Sequence, residues 1–335
     1  MLFYCGSKLG SFEVSIADQT FAVEKKNTVA RGMVLMVVAM LMLPLMDGMA
    51  KVLAVNYQVS AGQTTFGRFL IQACLLAPVI IVIYGPKALL PKQVFINLLR
   101  GAIMSLAVMI FFATLRYMPI ADAIAVFFIE PFILTVLSVI ILKEQVGWRR
   151  RIAVLCGFAG AMLIIQPSYQ VFGAVSLMPI ATAFLFAVYL ILTRQFAADD
   201  NALSMQFMAG VGGVAMLSAV LLLGNAMEWS NFSSPEIPEF GIRWVLIFAI
   251  GALATVGHLM VVMAFRLASA SILAPFQYLE IVTATALGFW LFNEFPDALK
   301  WLGIGIIVAS GLYLFLREKA VAEDDENAQL PKAFD

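Results

Sequence analysis

The chain has 335 residues, of which 62% are hydrophobic and only 13% are charged. Since a soluble domain carries roughly 25% charged residues, this composition excludes an ordinary soluble protein. The 21 basic and 21 acidic side chains cancel, so there is no global field that would indicate nucleic acid as a partner. The 3 cysteines lie far apart and form neither a disulfide framework nor the spacing of a metal site.

Long apolar runs dominate the chain, and a helix needs about 20 apolar residues to cross the hydrocarbon core. The sequence therefore predicts an all-α integral membrane protein with ten transmembrane helices. Proline marks several of the junctions, among them Pro119, Pro167 and Pro296. The predicted spans are approximately 32–54, 64–84, 95–115, 120–142, 149–166, 173–193, 203–224, 242–265, 270–292 and 298–316.

The two ends of the chain and the distribution of Lys and Arg predict the orientation. Residues 1–30 and 318–335 are rich in charged and polar side chains, and we interpret them as flexible cytoplasmic tails. With both termini inside, Lys and Arg lie mostly in the cytoplasmic segments, and the opposite segments hold only Arg116, Arg243 and Lys300. The positive-inside rule therefore predicts a multi-pass protein with both termini in the cytoplasm.

An internal repeat with an offset of 150 residues relates the two halves of the chain. This offset separates Glu130 from Glu280 and Arg116 from Arg266. In each half the arginine precedes a short corner and then an apolar helix with a glutamate near its middle. A glutamate in such a helix is costly, so its appearance at both positions indicates a shared role.

The repeat divides the ten predicted spans into two five-helix halves, 31–166 and 173–317. Because five is an odd number, the second half must cross the membrane in the opposite sense to the first. Inverted repeats around a site at the membrane midplane are typical of secondary transporters that work by alternating access. The sequence therefore predicts two inverted five-helix repeats.

Short motifs in both halves resemble a known family. Leu-Arg-Tyr-Met-Pro-Ile-Ala-Asp-Ala at 115–123, Leu-Lys-Glu-Gln-Val-Gly-Trp at 142–148 and the looser Leu-Phe-Asn-Glu at 291–294 are similar to EamA-type transporters of the drug/metabolite transporter superfamily. The resemblance implies a bacterial inner-membrane carrier whose fourth and ninth helices line a central cavity. Met-Leu-Pro-Leu-Met-Asp-Gly-Met-Ala-Lys at 42–51 is most similar to a subgroup that includes riboflavin and S-adenosylmethionine carriers.

Glu130 and Glu280 are the strongest candidates for substrate binding or proton coupling. A carboxylate inside a membrane pairs with a cation, carries a proton or faces a water-filled cavity. Helical spacing places Phe127 on the Glu130 side of its helix and Gln277 on the Glu280 side. The alternative is a structural hydrogen bond at a helix broken by Pro131.

Four further charged or titratable residues lie within predicted spans. Asp47 and Lys51 share one helix face and are candidates either for substrate contact or for an ion pair with each other. His258, the single histidine, fits either hydrogen-bonded packing or proton coupling. Arg68 lies early in the second predicted span, where we expect it to snorkel to the outer face, with anion steering as the alternative.

These features predict a secondary active transporter of a small organic metabolite, with the lipid bilayer as its environment. Candidate substrates from the resemblance are riboflavin, S-adenosylmethionine, and an amino acid or related metabolite. We expect no cofactor, no metal site and no catalytic residues, since one histidine without clustered acids or cysteines does not suit an enzyme. A membrane-embedded sensor or channel-like protein is the alternative class. Small residues such as Gly160 and Gly303 suit close helix packing and a hypothetical homodimer face.

Overall fold

The computed structural model describes residues 6–141, 143, 148–196, 201–226, 241–267, 273, 276–277 and 279–329. These residues form helices joined by turns and short 3₁₀ segments and contain no strand, which confirms the all-α prediction. The helices are α1 (Gly6–Asn56), α2 (Ala61–Tyr84), α3 (Val94–Leu115), α4 (Ile120–Phe127), α5 (Glu130–Ile141), α6 (Trp148–Phe172), α7 (Met178–Phe196), α8 (Ala202–Ala226), α9 (Ile242–Leu267), α10 (Leu279–Phe292) and α11 (Ala298–Gln329).

Within the described residues, 7 helical segments are long and apolar enough to cross a membrane. They are Thr28–Asn56, Ala61–Tyr84, Val94–Leu115, Ile120–Ile141, Ser168–Thr193, Ala202–Gly224 and Ile242–Ala264. Two shorter apolar helices, Leu279–Phe292 and Ala298–Ser310, follow them. A multi-pass membrane protein accounts for these segments, whereas the count of ten spans and their inverted arrangement stay predictions.

Several helices extend beyond their predicted ends. Helix α1 begins at Gly6 and α11 ends at Gln329, so both run into the segments that we interpreted as flexible tails. Helix α6 continues past Pro167 and ends at Phe172. The following Gly173 has a φ of +64°, the left-handed conformation that commonly ends a helix. The glycine, and not the proline, therefore marks this junction.

The predicted fourth helix is interrupted between α4 and α5. The Ile129 N–H donates to the Val126 carbonyl three residues back, at 3.1 Å, instead of four residues back. Pro131 has no N–H and cannot donate to the carbonyl four residues before it, which favours a break here. Helix α5 consequently begins at Glu130, where the positive end of the helix dipole favours a carboxylate.

The most extensive helix contacts join the first half of the chain to the second. Helix α1 packs along α9 and α10, α2 along α8 and α9, α3 along α7 and α8, and α6 along α11. Glycines allow the closest approaches: a Cβ on Gly101 of α3 would lie 2.1 Å from the carbonyl oxygen of Ala209 on α8. The core of the molecule is therefore largely the interface between the two halves.

Part of the predicted small-residue surface packs against another helix of the same chain. A Cβ on Gly160 of α6 would lie 3.0 Å from the carbonyl oxygen of Gly303 on α11. Gly305 on the same helix faces open space. The Gly160–Gly303 contact thus explains these two glycines by packing within one chain, and the homodimer stays a prediction.

Candidate binding cavity

A cavity of about 190 Å³ lies between the two halves. Residues from α1 to α5 line it on one side, and residues from α7, α9 and the start of α10 line it on the other. Aliphatic, methionine and phenylalanine side chains cover most of its wall. An apolar wall with a few convergent polar groups is the usual composition of a small-molecule site. The polar lining residues are Asp47, Arg68, Glu130, Thr182, His258, Gln277 and Glu280.

Most of the site residues named from the sequence meet at this cavity. Asp47, Phe127, Glu130, His258, Gln277 and Glu280 all line it, although they are distributed over five segments of the chain. Lys51 does not line it. The cavity therefore agrees with the expected position of the two repeat-related glutamates, while the roles of these residues stay predictions.

Glu130 and Glu280 each occupy the first turn of a helix. Glu130 is 9% exposed, and its Oε1 has no hydrogen-bond partner among the described residues. Glu280 is the second residue of α10, is partly buried, and lies within electrostatic range of Asp47. Burying a carboxylate oxygen without a partner is costly, so the site suits a bound cation or an exchanging proton.

Lys51 is paired outside the cavity. Its Nζ donates to the Met118 carbonyl at 2.9 Å and forms an ion pair with Glu294 Oε1 at 2.5 Å. The alternative of an Asp47–Lys51 ion pair is therefore wrong. The lysine side chain is long enough to reach an acid supplied by the other half of the chain. Asp47 remains at the cavity, within electrostatic range of Arg68 and Glu280.

A second ion pair also joins the two halves. Lys300 Nζ of α11 lies 2.5 Å from Asp122 Oδ2 of α4, which is only 1% exposed. Because Lys51 contacts Met118, one turn before Asp122, the Lys51–Glu294 and Asp122–Lys300 pairs lie on the same side of the cavity. Neither pairing was predicted, since their partners are distant in sequence and no local spacing relates them.

Arg68 is buried at the cavity and does not snorkel to the surface, so that expectation is wrong. It is 1% exposed. Helix α2 begins at Ala61, three residues earlier than predicted, which places Arg68 about 10 Å into the helix at about 1.5 Å per residue. Ser60 and Gln63 form a capping box at this end. This Ser-x-x-Gln pattern was the signal in the sequence that fixes the helix start.

His258 is hydrogen-bonded within its own helix and also lines the cavity, while a part in proton coupling stays a prediction. Its Nδ1–H donates to the Ala254 carbonyl at 2.8 Å, which holds the ring against its own helix. The same ring lines the cavity and lies within electrostatic range of Arg68. Since a carbonyl oxygen can only accept, the neutral imidazole carries its proton on Nδ1 and leaves Nε2 as an acceptor.

An aromatic cluster lines the cavity around Phe127. The ring centroids of Phe127 and Phe186 are 5.5 Å apart, and those of Phe127 and Phe111 are 6.0 Å apart, both in edge-to-face geometry. All three residues belong to the cavity wall. Such rings offer apolar surface on which a planar substrate group can pack.

The charged groups of the cavity are of both signs. The described lining residues supply three carboxyl groups, one guanidinium and one imidazole. In the described part of the chain no group of three or more His, Cys, Asp or Glu side chains could hold a metal ion. Fixed charges of both signs in an apolar wall can orient a solute that itself carries both charges.

Comparisons with known proteins bear on the family of the chain. A model of the EamA-like transporter family matches residues 30–166 and 173–316. The S-adenosylmethionine uptake transporter of Rickettsia prowazekii is 29% identical over 268 residues, covering 80% of this chain and 87% of that protein. The riboflavin transporter of Vibrio cholerae is 24% identical over 303 residues, covering 90% and 98%. A crystal structure of a further protein aligns with a TM-score of 0.56 at 17% identity, covering 85% of this chain and 98% of that one, which shows likeness of fold alone.

Proposed function

Because the chain belongs to the EamA-like transporter family, we propose that it is a secondary active transporter that moves a small organic metabolite by alternating access. The observation that carries this proposal is the cavity shared by the two halves. Asp47, Arg68 and Glu130 reach it from the first half, and His258 and Glu280 from the second. A site shared in this way faces one side of the membrane and then the other when the halves rock against each other.

The two ion pairs that join the halves support a closed end of the transport path. Lys51–Glu294 and Asp122–Lys300 lie on the same side of the cavity and each connects one half to the other. In this proposal they form the closure on that side and separate when the protein changes state. With the termini in the cytoplasm of a bacterial inner membrane, this closed end faces outward.

Proton coupling is part of the proposal and rests on the two repeat-related glutamates. Glu130 carries a buried oxygen that has no hydrogen-bond partner among the described residues, and Glu280 lies within electrostatic range of Asp47 in a mostly apolar cavity. A proton can neutralise such a carboxylate when the substrate is absent. Each glutamate then alternates between holding a proton and contacting a charged group of the substrate.

The candidate substrates come from the relatives together with the cavity. S-adenosylmethionine and riboflavin are named for the two relatives described above, and an amino acid or related metabolite also suits the charged groups of the cavity. The family and the names of the relatives point to transport and away from enzymatic chemistry. At these identities the substrate of the relatives does not fix the substrate of this chain.

Transport by the purified protein in proteoliposomes tests the proposal. Radiolabelled S-adenosylmethionine and riboflavin would each be offered to liposomes with and without the protein. We expect saturable uptake of at least one of them. Uptake should be faster when the same unlabelled compound fills the lumen, because a carrier that has released labelled compound there can bind unlabelled compound and return with it. Uptake that is not accelerated in this way would indicate a channel. If neither compound is taken up, with or without unlabelled compound in the lumen, the result would contradict transport of these two compounds.

A further inference from the structure

Arg68 differs from the other fully described buried arginine of the bundle in having open hydrogen-bond donors. Its Nε and Nη1 have no hydrogen-bond partner among the described residues, and its guanidinium lies over the ring of Phe69, whose centroid is 4.6 Å from Cζ. Arg100 is similarly buried, at 3% exposed, but it donates to Asn97 and Thr193 at 2.6 and 2.9 Å. Burial alone therefore does not explain the open donors of Arg68.

The cavity can hold a hydrogen-bond partner for Arg68, which packing among the described residues does not provide. Arg68 is one of the residues that form its wall, so a solute bound there lies next to this side chain. Asp47 interacts with Arg68 electrostatically but forms no ion pair with it within 4.0 Å. A planar guanidinium matches a carboxylate, and a charge-assisted hydrogen bond between them is stronger than one between neutral groups.

The carboxyl groups of the same cavity favour a second charge of opposite sign on the solute. Among the described lining residues, the carboxyl groups of Asp47, Glu130 and Glu280 outnumber the guanidinium of Arg68. A solute that carried only a carboxylate would leave them without a cationic partner, and one that carried only a cation would leave Arg68 open. A zwitterion satisfies both sets of groups. The ring cluster around Phe127 adds apolar surface for the remainder of the molecule.

We propose that Arg68 binds the carboxylate of a zwitterionic substrate of the α-amino-acid type, whose cationic group lies against the acidic side chains of the cavity. This inference rests on the proposed transport function and deepens it by naming the substrate class. Arg68 is then a specificity-determining residue that separates compounds with a carboxylate from those without one.

Binding by the purified full-length protein tests the assignment with two pairs of probes. The members of each pair differ only in the carboxylate: S-adenosylmethionine with its decarboxylated analogue, and tryptophan with tryptamine. We expect the wild type to bind at least one carboxylate-bearing member more tightly than its analogue. Arg68→Gln should weaken binding of that member by about tenfold or more and leave the analogue unchanged, because a charged hydrogen bond is lost.

Two further variants control for folding. Arg68→Lys keeps the charge but not the planar donor group, and it should retain part of the preference for the carboxylate. Arg100→Gln removes a buried guanidinium that does not line the cavity, and it should leave the preference intact in the folded fraction. An equal loss for both members of a pair in Arg68→Gln would overturn the assignment. Binding of neither carboxylate-bearing probe would also overturn it.

The transport assay separates this inference from the function on which it rests. Carboxylate-selective binding through Arg68 without transport of any probe would refute the proposed function and leave the binding site in place. Transport of a probe whose affinity does not depend on Arg68 would support the function and refute the binding site.

Discussion

Lys51 of α1 forms its ion pair with Glu294, a residue 243 positions away along the chain. Asp47, one helical turn from Lys51, instead lines the cavity between the halves. Lys51 and Asp47 thus lie on the same face of α1 but contact different parts of the molecule. Lys51 joins the two halves, and Asp47 lines the cavity. This division connects the proposed closure of the transport path to the cavity through a single turn of α1.

Removing the charge at Lys51 should weaken the contact between the halves. We expect Lys51→Met to lower the free energy of unfolding by about 2 kcal/mol, because a charged and largely buried hydrogen bond is lost. The same change should make the cavity more accessible from the outside, measured as faster labelling of a cysteine introduced at Thr182. The exchanged pair Lys51→Glu with Glu294→Lys should restore part of both properties. Purely additive effects of these two changes would contradict a direct pairing.

Lys300 should matter for stability mainly through its buried partner Asp122 and much less through Asp297, although both acids lie near it. Asp122 is 1% exposed and lies 2.5 Å from Lys300 Nζ, whereas Asp297 is 54% exposed in its side chain and lies 3.9 Å away. We expect Lys300→Met to destabilise the protein by about 3 kcal/mol, since it leaves a buried carboxylate unpaired. Asp297→Asn keeps the cap on α11 and should cost less than about 1 kcal/mol. Similar melting temperatures for the two variants would contradict the difference in burial.

The two cavity glutamates should control how transport depends on a proton gradient. A glutamine imitates the protonated carboxyl in shape but cannot release a proton. We therefore expect Glu130→Gln and Glu280→Gln to retain exchange of substrate between two compartments of equal pH. Both variants should lose the acceleration of transport by an imposed pH difference. Proteoliposomes loaded at two pH values measure both quantities. Asp297→Asn, an acidic position outside the cavity, serves as the control. Unchanged gradient dependence in both glutamine variants would refute proton coupling through these residues.

The crossing of α3 and α8 should tolerate no added side chain at Gly101. A Cβ there would lie 2.1 Å from the Ala209 carbonyl oxygen, so the helices must separate. We expect Gly101→Ala to destabilise the protein by about 2 kcal/mol or more, the range of an overpacked core. Gly305→Ala adds the same methyl group where the space is open, and it should stabilise the helix by up to about 1 kcal/mol. Melting temperatures in the same detergent compare the two, and equal shifts would contradict the close approach.

Local patterns in the sequence were sufficient for the helical class and for a chain with several membrane-spanning segments, and the 150-residue offset picked out the two glutamates that line the cavity. These features depend on runs of apolar residues and on spacing within the chain, which the tertiary structure does not change. Phe127 and Gln277 were also located by helical spacing from Glu130 and Glu280, and both line the cavity. Helix ends were less predictable, because Ser60 and Gly173 determine them through hydrogen bonds and a single backbone angle.

Residue composition and spacing therefore establish that the protein is helical, crosses the membrane several times and carries a repeated carboxylate. The partners of Lys51 and the burial of Arg68 became known from the packing of the helices. The choice between Asp47 and Glu294 as the partner of Lys51 depends on which helices meet in space, and no spacing along α1 contains that information. The depth of Arg68 likewise depends on the helices that surround α2, since the same residue at the same position would be exposed on an isolated helix.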